Sequence, residues 1–374
     1  MNEYFCHHPW VGLDINNNGD LKPCCKFLED SNDWQLFNVK DGIDNYVNSE
    51  HLKKIKQKFL NGEKPDACSR CWKDEAVGYP SKRQIDYKNW NKQLDSYDLE
   101  SNDFLFLALP LGNFCNLKCR ICRPAASTTW IKEYQDLYNK KSKIQDWHKN
   151  SSIWKNIIEY SQSSLEIHIH GGEPFLYDSD EQLELLQSLV DSGKSKEIRI
   201  HYNTNCTVFP KQEYWNLWKN FKLVDIQPSI DDIEDRFEYN RYPAKWKTVE
   251  ENLLKYRNYI IMRKNMQLSI STTVSVFTIA YLEEFFDWIK KNKLPEPYLG
   301  RLEYPYYYQV NVLPNNVREK IKNKLEISRY DSLIKIANWL SEDNSVHWNK
   351  FLEITKLHDR YRKENAQEIF DRIF

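Results

Sequence analysis

The sequence predicts an α/β fold: a parallel sheet with covering helices, preceded by a small cysteine-bearing segment and followed by a helical C-terminus. Three observations predict it. Strand-like and helix-like stretches alternate from about residue 104 onward, as β/α units do. The strand-like stretches alternate apolar and hydrogen-bonding residues rather than running uniformly apolar. Seven of the nine cysteines sit in short-spaced or mutually compatible positions, in two sets, one before and one inside the alternating region.

The elements can be taken in chain order. "WVGLDI", "NNNG" and "DLKPCC" read as strand, turn and strand, with Asn18-Gly19 suited to a tight hairpin. "SEHLKKIKQKFLNG" is an amphipathic helix: Ser49 can cap it, Leu52, Ile55 and Phe59 share a face, and Gly62 can end it. A polar stretch from Asp95 to Asp103 serves as a linker. Six strands follow: "FLFLAL", "LEIHIH", "EIRIHYN", "LVDIQPS", "QLSISTTV" and "YYYQVNV". Helical patterns such as "DEQLELLQSLVDSG" and "KWKTVEENLLKYRNY" lie between them. The last sixty residues read as helical. Three domains are expected: residues 1–100, 101–314 and 315–374.

The alternation describes the interior. Leu165, Ile167 and Ile169 alternate with Glu166, His168 and His170; Ile198, Ile200 and Tyr202 alternate with Arg199, His201 and Asn203. A curved sheet with helices outside puts the polar side chains together, around a polar cavity. Antiparallel strands with one solvated face would give the same alternation, but the intervening helices argue against them.

Bulk composition excludes some classes. A net charge of −1 gives no global pull toward nucleic acid or anionic membrane, and nucleic acid is not an expected partner. "MNEYFCHHPW" lacks the basic and apolar regions of a secretory signal, and the longest apolar run is far too short to span a bilayer. The expected compartment is the cytoplasm, where cysteines serve metals more than disulfides.

"NFCNLKCRIC" spaces Cys115, Cys119 and Cys122 as C-x3-C-x2-C. Three thiolates can hold three irons of a cubane and leave the fourth open, whereas electron-transfer clusters are closed by four cysteines. An open iron is a place for a ligand. Lys118, Arg120 and Arg123 flank the thiols and are expected to favour their ionised form.

At these residues the chain resembles the radical S-adenosylmethionine (radical SAM) superfamily. Three further motifs follow in that family's order: "HGGEP" (His170 to Pro174), "NTN" (Asn203 to Asn205) and "PSIDD" (Pro228 to Asp232), with Arg241 in "EYNRYP" after them. The resemblance covers about residues 105–314. It implies a partial (β/α)6 TIM-like barrel and a [4Fe–4S] cluster on Cys115, Cys119 and Cys122 with SAM at its open iron. It also implies SAM contacts at Gly171, Gly172, Glu173, Pro174, Asn203, Asn205, Ser229, Asp231 and Arg241. Adenine would pack on Ile121, where the family often has an aromatic residue. The implied activity is cleavage of SAM by one electron to methionine and a 5′-deoxyadenosyl radical, which takes a hydrogen atom from a substrate. Cys206 stands where the family usually has glycine; it is either a small buried thiol or a hydrogen-atom donor near the radical path.

The second set is Cys6, Cys24, Cys68 and Cys71, with Cys25 as an odd neighbour. Its chemistry alone suits either zinc or a [4Fe–4S] cluster. The pattern is similar to the twitch domain, the shortened form of the SPASM domain, which holds an auxiliary [4Fe–4S] cluster, although here it precedes the barrel. The Gly19-to-Cys24 spacing favours Cys24 over Cys25 as a ligand. Four protein thiolates leave no open iron, which favours an electronic role and oxidative chemistry, with a purely structural cluster as the alternative. His7 and His8 are read as packing beside that cluster or supplying a ligand, and Tyr307, Gln309 and Asn311 as facing the cavity or packing in the core or rim.

The resulting expectation is an oxidoreductase or maturase acting on a peptide or small polar molecule. It would be served by an external electron donor such as a flavodoxin or ferredoxin. The rival is a non-catalytic iron–sulfur or zinc-binding electron-transfer protein, for which the HGGEP and PSIDD motifs have no use.

Overall fold

A computed structural model describes residues 2–28, 35–76, 78, 80–176 and 180–374. The strands are β1 (Gly12–Ile15), β2 (Asp20–Lys22), β3 (Phe37–Asn38), β4 (Phe106–Pro110) and β5 (Glu166–His170). They continue with β6 (Arg199–Thr204), β7 (Leu223–Pro228), β8 (Met266–Leu268), β9 (Ser271–Val274) and β10 (Tyr298–Arg301). The chain forms two compact units. One is Met1–Asn113, Ile144–Tyr202 and Lys211–Val224; the other is Phe114–Lys143, Asn203–Pro210 and Asp225–Phe374.

In the first unit the strand order is β3-β2-β1-β4-β5-β6. The hairpin β1–β2 is antiparallel, as its turn requires: Asn16 Oδ1 accepts from the N–H groups of Asn18 and Asp20, and Gly19 sits at φ 88°. β1 then pairs in parallel with β4, β4 with β5, and β5 with β6. The expected parallel sheet is therefore present, and the N-terminal hairpin extends it, which the sequence did not announce. One face buries Leu107, Leu109, Ile167, Ile169, Ile200 and Tyr202. The helices Ser151–Ser161, Asp180–Asp191 and Gln212–Trp218 bring Trp154, Leu185, Leu186, Leu189 and Trp218 to the same core. Each such side chain contributes roughly 1.5–3 kcal/mol of burial. The opposite face is polar. Register places Lys22 beside Asp14, Asp14 beside Ala108, Ala108 beside His168 and His168 beside His201. The His168 and His201 rings are 4.6 Å apart, and Arg199 reaches Glu166 at 3.5 Å. The helix Glu50–Leu60 forms as its pattern predicts, with Ser49 Oγ accepting from the Leu52 N–H at 3.2 Å.

In the second unit the Ser229 N–H donates to the Thr204 carbonyl, joining the ends of β6 and β7, and the Ser269 N–H donates to Ile226 beside β8. The polar side chains continue here as Asn203 to Gln227 (2.8 Å), Gln227 to Ser269 (3.2 Å) and Ser269 to Asp225 (2.9 Å). "QLSISTTV" divides into β8 and β9. "YYYQVNV" is not a strand: Tyr306–Tyr308 and Val310–Val312 are 3-10 turns between Pro305 and Pro314. The last parallel strand is β10, paired with β9. Its "YLGR" has neither alternation nor β-branched residues, so periodicity could not flag it. Gln309 donates to the Glu303 carbonyl and Asn311 to Glu342. The C-terminus is helical, with Asn315–Glu326, Asp331–Ile336, Trp348–Arg362 and Ala366–Ile369. No helix among the described residues is long and apolar enough to cross a membrane.

Candidate metal centres

The loop of Cys115, Cys119 and Cys122 lies in the second unit and is held through its backbone. The Lys118 N–H donates to the Tyr242 carbonyl at 2.7 Å and the Arg120 N–H to Asn240 at 2.9 Å. Thr129 Oγ1 donates to the Cys115 carbonyl at 2.6 Å, Trp130 Nε1 to Cys119 at 3.0 Å, and Ser127 Oγ to Leu117. Cys119 is buried; Cys115 and Cys122 are partly exposed. Cys119 and Cys122 share a hydrogen bond, which favours the thiolate at Cys119 and keeps the proton on Cys122, with Arg241 favouring ionisation of both.

The cations expected at these thiols are turned elsewhere. Arg120 reaches Asp359 (2.6 Å) and Glu364 (2.7 Å) and stacks over Tyr239 at 3.7 Å. Lys118 pairs with Glu133 at 2.7 Å, and Arg123 lies over Tyr304. A guanidinium between cysteines is drawn to half-buried carboxylates when a helix brings them within reach, and here the helix Trp348–Arg362 and the residues after it do so. Sequence could not show that pairing, because more than two hundred residues separate the partners.

Of the residues carried by the resemblance, several meet in this unit. Asn205 Nδ2 donates to Asn116 Oδ1 at 3.0 Å and approaches Cys115 Sγ at 3.6 Å. Arg241 Nε donates to Asp231 Oδ2 at 2.9 Å, and Asp231 Oδ1 accepts from the Thr273 N–H at 2.8 Å. Both members of that ion pair are buried. Asn203 is engaged by Gln227, Ser229 bridges to Ser271, and Ile121 is half-buried beside Cys122. Cys206 is fully buried at φ 64°; its Sγ donates to the Val249 carbonyl, and Asn252 Nδ2 donates to the Cys206 carbonyl. That is a packed thiol in a backbone conformation that favours glycine.

Gly171, Gly172, Glu173 and Pro174 lie in the first unit, directly after β5. Gly171 and Gly172 have φ of 81° and 49°, and a Cβ on Gly171 would fall 2.5 Å from Pro110 Cβ. Glu173 is buried, and its carboxylate accepts from the Phe175 N–H at 3.2 Å. The Pro174 carbonyl accepts from Gln182 at 3.2 Å.

The second cysteine set also belongs to the first unit. Cys6, Cys24, Cys68 and Cys71 line one cavity with His8, Lys26, Phe27, Phe59, Trp72, Lys82 and Arg83. Cys25 lines a neighbouring cavity instead, with Asp14, Asp86, Ala108, Glu166 and His168. Among the described residues, no three His, Cys, Asp or Glu side chains converge on a point that would hold a single metal ion; the four thiols stand around a space. Burial pushes the Cys6 thiol up to about 12, and burial together with the charges of Cys25, Cys6 and Cys68 raises Cys24 well above its ordinary value. Thiolates that repel one another in a buried site fit a cationic iron–sulfur core that offsets their charge. His7 packs between Phe5 and Tyr87, while His8 Nε2 meets Asp86 at 2.7 Å, and Asp86 meets Lys82 at 2.6 Å. The Lys82–Asp86–His8 chain was not found from sequence. Its i,i+4 pair on a polar helix reads as an ordinary solvated one.

Comparison with known proteins gives two family matches. Residues 109–295 match the radical SAM superfamily, and residues 6–72 match an iron–sulfur cluster-binding domain, SPASM. GTP 3′,8-cyclase of Actinobacillus pleuropneumoniae is 20% identical over 223 residues, 59% of this chain and 59% of that protein. An uncharacterized protein of Methanocaldococcus jannaschii is 26% identical over 254 residues, 65% of this chain and 78% of that one. Among solved structures, anSMEcpe with bound AdoMet has a TM-score of 0.41 at 17% identity, covering 58% of each chain. Streptococcus suis SuiB bound to S-adenosylmethionine has a TM-score of 0.41 at 13% identity, covering 87% of this chain and 69% of that one. The chain spans about three fifths of the length of the cyclase it matches.

Proposed function

Because the chain belongs to the radical SAM superfamily, we propose that it is an oxidoreductase or a maturase that takes a hydrogen atom from a polar substrate and modifies it oxidatively. The family and its iron–sulfur cluster-binding domain bring a [4Fe–4S] cluster with SAM and an auxiliary cluster. When bound, the first cluster supplies the electron that cleaves SAM to methionine and a 5′-deoxyadenosyl radical. Cys115, Cys119 and Cys122 would hold three of its irons. Cys6, Cys24, Cys68 and Cys71 would hold the auxiliary cluster.

The observation that carries this reading is the division of seven cysteines into two different donor sets. Three lie on one loop, the first of them approached by Asn205 Nδ2, and four surround one cavity. A three-thiolate set leaves a ligand position; a four-thiolate set does not. The chain's own groups then have defined tasks. The buried Asp231–Arg241 pair fixes a guanidinium near the loop, suited to the SAM carboxylate. Gly171 and Gly172 hold positive φ, and Gly171 has no room for a Cβ beside Pro110, a backbone suited to the SAM amino group, with Glu173 and Pro174 beside them. Asn203, Asn205 and Ser229 offer hydrogen bonds, and Ile121 offers an apolar surface for adenine.

The polar row of Asp14, His168 and His201 supports a substrate rich in hydrogen-bonding groups, a peptide or a small polar molecule. A flavodoxin- or ferredoxin-type donor supplies the electron, and the work is done in the cytoplasm. The deciding experiment is anaerobic reconstitution followed by reduction with dithionite in the presence of SAM. Release of 5′-deoxyadenosine, abolished by joint Cys115→Ala, Cys119→Ala and Cys122→Ala replacement, is expected. No release from the wild-type protein loaded with about eight irons would favour a plain electron carrier.

A further inference from the structure

We infer that Lys82 sets the reduction potential of the auxiliary cluster, as the cation that stabilises its reduced form. The inference rests on the reading that Cys6, Cys24, Cys68 and Cys71 hold that cluster, and it concerns a property that cysteine spacing does not fix.

The cavity of the four thiols is lined by three cationic side chains, Lys26, Lys82 and Arg83, and, among the described residues, by no carboxylate. Arg83 and Lys82 are not equivalent. Arg83 is tied into a bidentate pair with Glu75, at 2.8 and 2.7 Å, and donates from Nη1 to the carbonyls of Glu3 and Phe5, so its charge is offset at close range. Lys82 is the first residue of the helix Lys82–Asp95, which begins at this cavity. The N-terminal end of a helix is electropositive. Its partner Asp86 is set back: it lines the neighbouring cavity but not that of the four thiols. Lys82 therefore borders the cavity of the four thiols directly, whereas the residue whose carboxylate pairs with it does not. The same helix start supplies a backbone donor to the site, since Cys71 accepts from the Arg83 N–H.

These are the levers that tune an iron–sulfur cluster: local net charge and hydrogen bonds to sulfur. The reduced cluster carries one more negative charge than the oxidised one. A cation held at low dielectric stabilises the reduced form more and raises the potential. Lys82, His8 and Cys24 line both cavities. These three residues connect the cavity of the four thiols with the polar side of the sheet, where Ala108 and His168 line the second cavity.

The test is an EPR-monitored redox titration of the full reconstituted chain carrying both clusters. The signal is assigned by comparison with the Cys115→Ala, Cys119→Ala, Cys122→Ala chain. Lys82→Met is expected to shift the auxiliary midpoint to more negative potential by about 59 mV, a tenfold change in the one-electron equilibrium. Asp86→Asn is expected to shift it to more positive potential, and Lys82→Arg to leave it near the wild-type value. A purely structural role for the pair would not give shifts of opposite sign. Should Lys82→Met fail to take up its iron, the positive shift in Asp86→Asn and the unshifted Lys82→Arg decide the matter. Midpoints that do not move, or that move the same way in Lys82→Met and Asp86→Asn, overturn the inference alone. A wild-type chain with about four irons and no second signal overturns the auxiliary-cluster reading and the inference with it.

Discussion

Arg362 donates from Nη2 to the backbone carbonyl of Lys118 at 2.9 Å, so a residue of the C-terminal helix holds the loop that bears Cys115, Cys119 and Cys122. The same guanidinium donates from Nε to Glu133 Oε1 at 2.8 Å and lies over the ring of Trp130. Glu133 is fully buried and also receives Lys118 at 2.7 Å and His358 Nδ1 at 2.8 Å. The helix Trp348–Arg362 is therefore part of the loop's support.

Arg362→Leu is expected to cost about 3–5 kcal/mol, the range for a buried ion pair that loses one partner. Urea unfolding gives the stability, and iron content after reconstitution gives the state of the loop. Iron is expected to fall at the three-cysteine site while the four-cysteine site, in the other unit, keeps its share. A variant with wild-type stability and full iron would show that the contact does not hold the loop.

The same network predicts a pH dependence. Burial alone would raise the Glu133 carboxyl, but the His358 hydrogen bond and the charges of Arg362 and Lys118 outweigh it and hold it at about 2. A carboxylate depressed in the folded state contributes stability that is present above its unfolded value, about 4.3, and lost as pH falls toward 2. Chemical denaturation between pH 5 and 2.5 is expected to show that loss. Glu133→Gln is expected to be less stable at pH 7 and to show a shallower slope across the window. An unchanged slope would mean that other carboxylates govern acid unfolding.

The alternating strands, the Asn18-Gly19 hairpin and the Ser49-capped helix were legible in the sequence because each rests on local chemistry. So was the grouping of the cysteines, because motif spacing survives without tertiary information. What was illegible depends on distance along the chain. The Arg120–Asp359 pair joins ends of the second unit, and no periodicity reports it. The hairpin strand β1 joins β4 although about ninety residues intervene, since the edge it covers is created only when the sheet forms. The "YYYQVNV" stretch misled because a run of aromatic and β-branched residues imitates a strand, while the prolines on either side turn the backbone into 3-10 turns.

Cys206 offers a choice between chemistry and packing. Its thiol is fully buried and donates to the Val249 carbonyl, which leaves it occupied in a helix contact. Cys206→Ser is expected to leave 5′-deoxyadenosine release and product formation unchanged, with a stability loss of about 1 kcal/mol. Cys206→Val is expected to lose more, because a β-branched residue is strained at φ 64°. Abolished product formation in a folded, fully loaded Cys206→Ser chain would restore the hydrogen-donor role.

Gly171 is the position where backbone shape bears most directly on cofactor binding. It has φ 81°, and a Cβ there would lie 2.5 Å from Pro110 Cβ and 2.7 Å from Asn17 Oδ1. Gly171→Ala therefore meets both a conformational penalty and a collision, for a combined loss of about 1–3 kcal/mol. Gly193 separates the two causes: its φ is 76°, and nothing lies within 4 Å of its Cβ position. Gly193→Ala is expected to cost about 1 kcal/mol and to leave SAM binding intact. Gly171→Ala is expected to cost more and to weaken SAM binding at least tenfold, measured by equilibrium dialysis on the reconstituted chain. Equal stability losses with equal SAM affinity would mean that the backbone after β5 does not approach the cofactor, and that the SAM amino group is held elsewhere.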